Sequence, residues 1–360
     1  MRYLQGTLQA LAYDARGIHM VQQIKVLVTG RFNDAQLNRL KSVSPRLVIE
    51  LKPVVTPWSR TDTSDLFEGD EEIFYGFMPP NNLSKASHLK WVQLYSAGAN
   101  QLTDHPIMLT DIPITTASGT ATVPMGEFAV MMMLTLARHV PRMVRMQDDG
   151  EWPEDRLKAL AGSELRGKTL GIVGYGSIGR EVARIAKQGF NMRILALTRT
   201  GRKEDSGYVE EGVGDPDGRL PEVWFLPNQL RELLSQSDFV VISTPLTNET
   251  RDLIGKAELR AMKPTAYLIN TARGAIINEQ ALEQALKEHW IAGAGLDVFT
   301  VEPLPPTSEL WKLENTLITP HVSANSPNYE DRAANLFAEN VKRYLNREPL
   351  LNLFDRRRGY

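Results

Sequence analysis

Short apolar runs alternate with longer mixed stretches along most of the chain, beginning near Ile24. Apolar runs bounded by polar turns are typical of buried strands, and amphipathic stretches between them are typical of helices. Asn33 is predicted to cap a helix that continues through Leu40. In this first part of the chain the pattern predicts strands at 24–28, 47–51, 72–77, 91–95 and 114–116. Regular alternation of strands and helices indicates a parallel α/β architecture.

A second alternating unit follows a long apolar helix, which is predicted at 127–140 between two prolines. The predicted strands of this unit are 169–173, 193–197, 239–243, 267–270, 293–297 and 316–318. Such a series of strands with helices between them fits the doubly wound nucleotide-binding fold. A final helix is predicted at 328–346. Residues 200–225 are rich in Gly, Asp, Glu and Pro, and are predicted to form an inserted surface loop.

A glycine-rich turn follows the first strand of the second unit and precedes a helix predicted at 180–188. Its spacing is that of the dinucleotide-binding fingerprint. The first glycine would allow a tight turn, the second would let the backbone approach a pyrophosphate, and the third would let the helix pack on the strand. The phosphates would bind the free N–H groups at the start of the helix. The alternative is an ordinary glycine-rich turn. The cofactor residues predicted here are Gly174, Gly176, Ser177, Ile178 and Gly179.

The next strand ends without the acidic residue that accepts the ribose hydroxyls of NAD in such sites. In its place are a hydroxyl at Thr198 and cations at Arg199 and Arg202. Guanidinium groups bind a 2′-phosphate in bidentate fashion, whereas a carboxylate there would repel it. The sequence therefore predicts NADP(H) in preference to NAD(H). The alternative is a solvated basic loop.

Composition and net charge bear on the partners, the kinds of site and the location that can be expected. The chain has 360 residues, 42% of them hydrophobic and 23% charged, and a formal net charge of −2. This charge gives no electrostatic reason to expect nucleic acid or an anionic membrane as a partner. There are no cysteines, which excludes thiolate nucleophiles and Cys-based metal sites, and no metal ion is predicted. Residues 1–23 are predicted to be an N-terminal extension without a signal peptide's apolar core, so a cytoplasmic location is predicted.

Three segments that follow later strands carry side chains suited to catalysis. In open α/β sheets, ligands bind outside the carboxyl ends of the strands. Arg273 is predicted to hold a substrate carboxylate there, and His321 to exchange a proton with the oxygen at the reacting carbon. Glu302 is predicted to orient the imidazole and favour its protonated form. The alternatives are a structural ion pair for Arg273, a turn cap for Glu302 and a buried hydrogen bond for His321.

These features together resemble the D-isomer-specific 2-hydroxyacid dehydrogenases, a family that includes the glyoxylate/hydroxypyruvate reductases. The resemblance runs from about Ile24 to the final helix. Five motifs carry it, namely GYGSIG at 174–179, PLTNET at 245–250, NTARG at 270–274, LDVFTVEP at 296–303 and TPH at 319–321. It implies that Arg273, Glu302 and His321 are the catalytic set and that Asp297 meets the nicotinamide carboxamide. Further cofactor contacts are implied for Thr244, Pro245, Thr250, Thr271 and Ala272. Substrate contacts are implied for Met78 and for the loop formed by Ser96, Ala97, Gly98 and Ala99.

The predicted fold is α/β, with two doubly wound parallel-sheet domains. A Rossmann cofactor domain, residues 125–322, is predicted to be inserted into a flavodoxin-like substrate domain formed by 24–124 and 323–360. The predicted activity is hydride transfer between NAD(P)H and C2 of a small 2-oxo acid, which gives a D-2-hydroxy acid. The resemblance also implies a homodimer.

Two alternatives remain open. One is an enzyme similar to formate or phosphite dehydrogenases, and the other is a catalytically weak, dinucleotide-sensing binding protein of the same fold. The formate enzymes carry Gln where Glu302 stands, so Glu302 favours oxo-acid chemistry. Turnover of 2-oxo acids would distinguish an enzyme from a sensor.

Overall fold

The computed structural model describes residues 23–54, 60–201, 203–205 and 207–359. The chain divides into two compact units. The first unit comprises Gln101–Thr115, Phe337–Leu350 and the described residues of Met1–Tyr95. The second unit comprises Ser96–Asn100, Thr116–Leu336 and the described residues of Leu351–Tyr360. The domain boundaries predicted from the sequence, 124/125 and 322/323, stay a prediction.

A five-stranded parallel sheet forms the first unit. Its strands are β1 (Ile24–Val28), β2 (Leu47–Leu51), β3 (Ile73–Gly76), β4 (Trp91–Leu94) and β5 (Ile114–Thr115). Their order in the sheet is β2-β1-β3-β4-β5, as in flavodoxin-like folds, so this part of the predicted fold is confirmed. Helix α1 (Asp34–Val43) begins after the predicted cap, since the Asn33 side chain accepts a hydrogen bond from Gln36 N at 3.0 Å.

The core of the first unit is built from large aromatic rings on β3 and β4. Tyr75 and Trp91 are buried, and both pack against Phe337, with ring centroids 4.7 and 5.6 Å away. Phe337 belongs to the last helix of the chain, Tyr329–Asn346. Burial of one such ring stabilises a fold by about 1.5–3 kcal/mol. The last helix of the chain therefore contributes a buried ring to the core of the first unit.

A seven-stranded parallel sheet forms the second unit. Its strands are β6 (Thr169–Val173), β7 (Arg193–Leu197), β8 (Val223–Phe225), β9 (Phe239–Ile242), β10 (Tyr267–Asn270), β11 (Gly293–Leu296) and β12 (Thr316–Ile318). Their order is β12-β11-β10-β9-β6-β7-β8, so the predicted Rossmann-type, doubly wound fold is confirmed. The sheet has one strand more than the sequence predicted. Strand β8 lies inside the predicted loop 200–225, and its three residues are too short a run to stand out as a strand.

Helices fill most connections of the second unit. They are α2 (Thr122–Ala137), α3 (Val140–Asp149), α4 (Arg156–Ala159), α5 (Ser177–Phe190), α6 (Leu230–Gln236), α7 (Lys256–Ala261), α8 (Glu279–Lys287) and the beginning of α9 (Tyr329–Asn346). The prediction of a single helix at 127–140 is wrong at both ends, because α2 begins at Thr122 and ends at Ala137. Pro124 and Pro141 each lie in the first turn of a helix, where a missing N–H group costs nothing. Between them His139 has a φ of 54°, and this left-handed residue separates α2 from α3.

The predicted N-terminal extension, residues 1–23, falls almost wholly outside the described residues. In the part of the chain that is described, no helix combines the length and the apolar character needed to cross a membrane. The same part contains no group of three or more His, Asp or Glu side chains arranged to hold a metal ion.

Candidate active site

The glycine-rich turn joins β6 to α5 with the geometry that the fingerprint requires. Gly174 has a φ of 99°, and a Cβ atom there would lie 2.7 Å from the backbone nitrogen of Thr244. A Cβ atom at Gly179 would lie 2.5 Å from the carbonyl oxygen of Gly174. The fold itself therefore excludes side chains at both positions, and α5 packs closely on the sheet.

The start of α5 fits a phosphate group. Gly176 is the N-cap and provides no side-chain cap, and a Cβ atom built on it would meet no atom of the described chain within 4 Å. The first N–H groups of the helix, at Ser177 and Ile178, therefore lack the side-chain acceptor that commonly caps a helix. A 14-residue helix with open space at its positive end is suited to bind an anion. These residues fit the pyrophosphate of a dinucleotide.

The turn after β7 is where the ribose of a dinucleotide is recognised in this fold. Thr198 Oγ1 accepts a hydrogen bond from Gly201 N at 3.0 Å, which closes the turn. Arg199 is exposed, and Arg202 lies outside the described residues. None of the residues from Thr198 to Gly201 is acidic. The position that binds the ribose hydroxyls of NAD therefore lacks its carboxylate.

The PLTNET segment forms a closed turn after β9. Thr250 Oγ1 donates to the carbonyl oxygen of Pro245 at 2.7 Å and accepts from Thr247 N at 2.8 Å. Thr244, which precedes this turn, is the residue whose backbone lies against Gly174. The structure thus brings three of the predicted cofactor residues (Thr244, Pro245 and Thr250) to the strand end beside the fingerprint.

Asn270, the last residue of β10, fixes the segment that carries Arg273. Its Oδ1 atom accepts from Ala272 N at 3.0 Å, and its Nδ2 atom donates to the carbonyl oxygen of Arg273 at 3.0 Å. The hydroxyl of Thr271 is buried and has no hydrogen-bond partner among the described residues. Asn270 belongs to the NTARG motif, but its role was not predictable from the sequence, because these contacts depend on how the turn folds back.

Glu302 and His321 form a hydrogen-bonded pair after β11 and β12. His321 Nδ1 lies 2.7 Å from Glu302 Oε2. The other carboxylate oxygen, Oε1, accepts from Phe299 N at 2.9 Å, so the carboxylate is fixed on both sides. With Nδ1 directed to the carboxylate, Nε2 is left for a ligand. The side chain of His321 is 44% exposed, so a ligand can reach it.

Asp297 holds the turn that carries His321. Its side chain is completely buried. One carboxylate oxygen accepts from Thr319 Oγ1 at 2.6 Å and from Val322 N at 3.0 Å, and the other accepts from Ser323 N at 2.9 Å. These bonds fix the backbone around His321, whose φ of 53° is uncommon for a residue with a side chain. The predicted contact of Asp297 with the nicotinamide carboxamide stays a prediction.

Arg273 lies against the loop that is predicted to bind the substrate carboxylate. Its Nη2 atom is 2.6 Å from the point that a Cβ atom of Gly98 would occupy, so this glycine makes room for the guanidinium group. Ser96 Oγ donates to the carbonyl oxygen of Gly98 at 2.7 Å within the same loop, which belongs to the second unit. Burial lowers the pKa of Arg273 and Glu302 opposes this shift, but a guanidinium group keeps its charge at neutral pH.

Met78 lies in the first unit, in a loop whose backbone is held by side chains. Hydrogen bonds reach three consecutive carbonyl oxygens of this loop, from Gln101 to Phe77 (3.3 Å), from Thr63 to Met78 (2.9 Å) and from His105 to Pro79 (3.1 Å). His105 Nδ1 accepts from Ile107 N at 3.1 Å, so the proton of the neutral ring is on Nε2. Burial lowers the pKa of His105, which favours this neutral form.

Comparisons with known proteins agree with this fold. The family model for the NAD binding domain of D-isomer specific 2-hydroxyacid dehydrogenases matches residues 130–323. A glyoxylate reductase of Korarchaeum cryptofilum is 40% identical over 257 residues, which are 71% of this chain and 73% of the relative. A glyoxylate reductase of Pyrococcus furiosus is 37% identical over 276 residues, which are 76% of this chain and 75% of the relative.

A crystal structure of a D-isomer specific 2-hydroxyacid dehydrogenase from Xanthobacter autotrophicus, in complex with NADPH and MES, is similar over 94% of this chain and 100% of that one. The TM-score is 0.74 and the sequence identity is 28%. The chain therefore belongs to the D-isomer specific 2-hydroxyacid dehydrogenase family. It is an NAD(P)-dependent dehydrogenase that transfers hydride in reactions of 2-oxo acids.

The variant Gly98→Ala is expected to displace the guanidinium group of Arg273, because the added methyl group would lie 2.6 Å from Nη2. A displacement of this size should lower kcat/KM for a 2-oxo acid by about tenfold or more. Steady-state kinetics at saturating cofactor measure this effect. Gly189→Ala is the matched control, since a Cβ atom there meets nothing within 4 Å. Unchanged kinetics in the Gly98 variant would contradict the assignment.

His105 is expected to make the free energy of unfolding depend on pH. Its pKa is lowered from 6.5 in the folded protein, so the unfolded chain binds this proton more readily. The contribution is complete above pH 6.5 and is lost as the pH falls through the lower, folded-state pKa. Denaturant titrations at several pH values should therefore show a smaller loss of stability on acidification for His105→Gln than for wild type. His88→Gln, which replaces an exposed histidine of the same unit, is the control.

Proposed function

We propose that this enzyme reduces a small 2-oxo acid to the D-2-hydroxy acid, with His321 as acid/base and Arg273 as the residue that binds the carboxylate. The observation that carries the proposal is the 2.7 Å contact of His321 Nδ1 with Glu302, which leaves Nε2 for the substrate. The nicotinamide ring of the bound cofactor supplies the hydride to C2 of the substrate. The residues of this chain bind the substrate, orient it and handle its proton.

The pair of His321 and Glu302 is suited to both directions of the reaction. Glu302 accepts the Nδ1 proton, orients the ring and stabilises the positive charge of the imidazolium form. Nε2 then donates its proton to the oxygen at C2 as negative charge develops there. In the oxidative direction the same nitrogen accepts the proton of the hydroxyl group.

Arg273 is suited to bind the substrate carboxylate beside the reacting carbon. A guanidinium group donates two parallel hydrogen bonds to a carboxylate, and we propose that backbone N–H groups of the loop from Ser96 to Ala99 bind the same carboxylate. The positive charge also stabilises the negative charge that develops on the carbonyl oxygen. Relatives named glyoxylate reductase support a substrate with a small side chain, and we propose that Met78 contacts it.

Loss of the acid/base group tests the proposed mechanism. His321→Ala should lower kcat by ~100- to 10,000-fold, because no positioned group then protonates the oxygen at C2. Glu302→Gln should keep the ring near its position but remove the charge that favours the imidazolium form. The reductive kcat of this variant should therefore be lower than that of wild type. An unchanged kcat in Glu302→Gln would show that Glu302 does not have this role.

We propose that the cofactor is NADP(H) in preference to NAD(H), recognised by Thr198, Arg199 and Arg202. Two observations support the preference. The first is the lack of an acidic residue from Thr198 to Gly201, and the second is the exposed guanidinium group of Arg199 beside the closed turn. A relative that is 28% identical has been solved in complex with NADPH.

The variant Arg199→Ala should raise KM for NADPH by about tenfold, the loss expected for one charged hydrogen-bonding partner of a phosphate. KM for NADH should change by less than about twofold, since NADH has no 2′-phosphate. Arg219→Ala is the matched control, because it removes another exposed arginine of the second unit, whose side chain pairs with Asp217. If wild type turns over NADH more efficiently than NADPH, the proposed preference is wrong.

A turnover assay with glyoxylate, hydroxypyruvate and bulkier 2-oxo acids separates the proposal from its alternatives. Reduction of any of them supports the dehydrogenase, whereas cofactor binding without turnover favours a dinucleotide sensor. Oxidation of formate or phosphite alone would favour the third alternative, against which Glu302 argues. The cytoplasmic location stays a prediction from composition.

We propose a homodimer in which α3 contributes to the interface. No residue of α3 is buried. Its Val140, Met143 and Val144 are exposed at i, i+3 and i+4, which places them on one face of the helix. Trp152 and Leu157, which follow α3, are 81% and 84% exposed. Large exposed apolar side chains in one region mark interaction surfaces.

The double variant Met143→Glu/Val144→Glu should convert the dimer to a monomer, because two carboxylates would be buried without partners in the interface. Size-exclusion chromatography with light scattering measures the mass of each protein. Leu226→Glu places one carboxylate on an exposed leucine elsewhere in the second unit and should leave the mass unchanged. A monomeric wild type would overturn the proposal.

A further inference from the structure

The connection from β7 to β8 is unusual because it contains no helix among its described residues. Parallel strands are commonly joined through a crossover helix. Here the described residues of segment 203–218 form no helix or strand, and the two ends of the segment meet each other. Asp205 N donates to the carbonyl oxygen of Pro216 at 2.9 Å, and a Cβ atom at Gly218 would lie 2.5 Å from the carbonyl oxygen of Lys203. We call residues 203–218 the crossover loop.

Arg180, one turn into the fingerprint helix, binds both ends of the crossover loop. Its Nη1 atom donates to the carbonyl oxygen of Asp215 at 2.5 Å, and its Nη2 atom donates to that of Lys203 at 2.6 Å. The side chain is only 4% exposed, and its guanidinium group lies 4.9 Å from the ring centre of Tyr175. Its Nε atom also lies 3.5 Å from Asp205 Oδ2, so the guanidinium group binds both backbone and side-chain oxygens of the crossover loop.

Further hydrogen bonds fasten the same loop to the fingerprint. Asp215 Oδ2 accepts from Tyr175 Oη at 2.8 Å and from Leu220 N at 3.0 Å, while Glu181 Oε2 accepts from Gly214 N at 2.7 Å. Burial, together with Asp215, raises the pKa of Tyr175 far above its ordinary value, so the phenol keeps its proton and remains a donor. The cavity left between the loop and the start of α5 is only about 10 Å³. The loop is thus closely packed.

We propose that Arg180 is a positioning residue for cofactor selectivity, which acts through the carbonyl oxygen of Lys203 on the turn that recognises the 2′-phosphate. The inference rests on the proposed NADP(H) preference. The turn from Thr198 is closed at one end by its own hydroxyl, and at Lys203 it is held by the buried guanidinium group. With the turn fixed at Thr198 and at Lys203, Arg199 would bind the 2′-phosphate with a smaller loss of conformational freedom. Release at Lys203 removes this advantage for the 2′-phosphate and leaves the phosphate site at Ser177 intact.

Fragment binding to the full-length protein without cofactor tests this proposal. Isothermal titration calorimetry with adenosine 2′,5′-bisphosphate and with 5′-AMP measures the two phosphate contributions separately. Arg180→Lys keeps the charge but lacks the fork that reaches two carbonyl oxygens. It should weaken binding of the bisphosphate by about tenfold and binding of 5′-AMP by less than about twofold. Lys187→Gln is the control on the same helix, since its exposed ammonium group pairs with Glu222, outside the loop.

Asp215→Asn provides a second variant in case Arg180→Lys does not fold, because it keeps the side-chain volume and weakens the hydrogen bonds from Tyr175 and Leu220 that fasten the same loop. Circular dichroism reports whether each variant is folded. An equal loss for both fragments would show that Arg180 has only a structural role, and unchanged binding in folded variants would also overturn the proposal. If wild type binds the bisphosphate no more tightly than 5′-AMP, the NADP(H) preference itself fails and the positioning role with it. The NADP(H) preference is tested with wild type alone and the positioning role of Arg180 with the variants. Failure of the one can therefore be distinguished from failure of the other.

Discussion

The register of the seven-stranded parallel sheet determines where the functional side chains of the second unit lie. Asn270 at the end of β10 is level with Leu296 of β11, which is level with Ile318 of β12. Residues that follow these ends therefore emerge side by side along one edge. The arginine, the glutamate and the histidine of the proposed catalytic set each follow one of these strands. A shift of one residue in any pairing would turn that strand's side chains to the other face and separate the set.

Features with a local signal were predictable from the sequence. The strand Thr169–Val173, the cap at Asn33 and the glycine turn all have their cause within a few neighbouring residues. Strand β8 was not predictable, since a three-residue run becomes a strand only through its partner. In the same way, the residue types of the site could be recognised at strand ends, but their anchors could not. Asp297 bonds to a turn more than twenty residues away, and only the folded chain shows that pairing.

In the irregular segments around the site, buried charged side chains form hydrogen bonds with backbone groups that a helix or a sheet would otherwise satisfy. Asp297 accepts three hydrogen bonds from the turn at His321, and Arg180 donates two to the ends of the crossover loop. Backbone polar groups in such segments have no helix or sheet ladder to satisfy them, and an unsatisfied buried group costs about 1–3 kcal/mol. A charged side chain that bonds several of them fixes a specific loop shape. Without these partners the charges themselves would be expensive to bury.

In the loop at Met78, the conformation of the backbone is fixed by hydrogen bonds that do not involve the Met78 side chain. Its three carbonyl oxygens are held from outside by Thr63, Gln101 and His105. No part of that support comes from the thioether side chain of Met78 itself. A substitution at Met78 therefore leaves the hydrogen bonds that hold the loop in place. Under the proposed contact of Met78 with the substrate, such a substitution changes the space left for the substrate while the backbone around it stays the same.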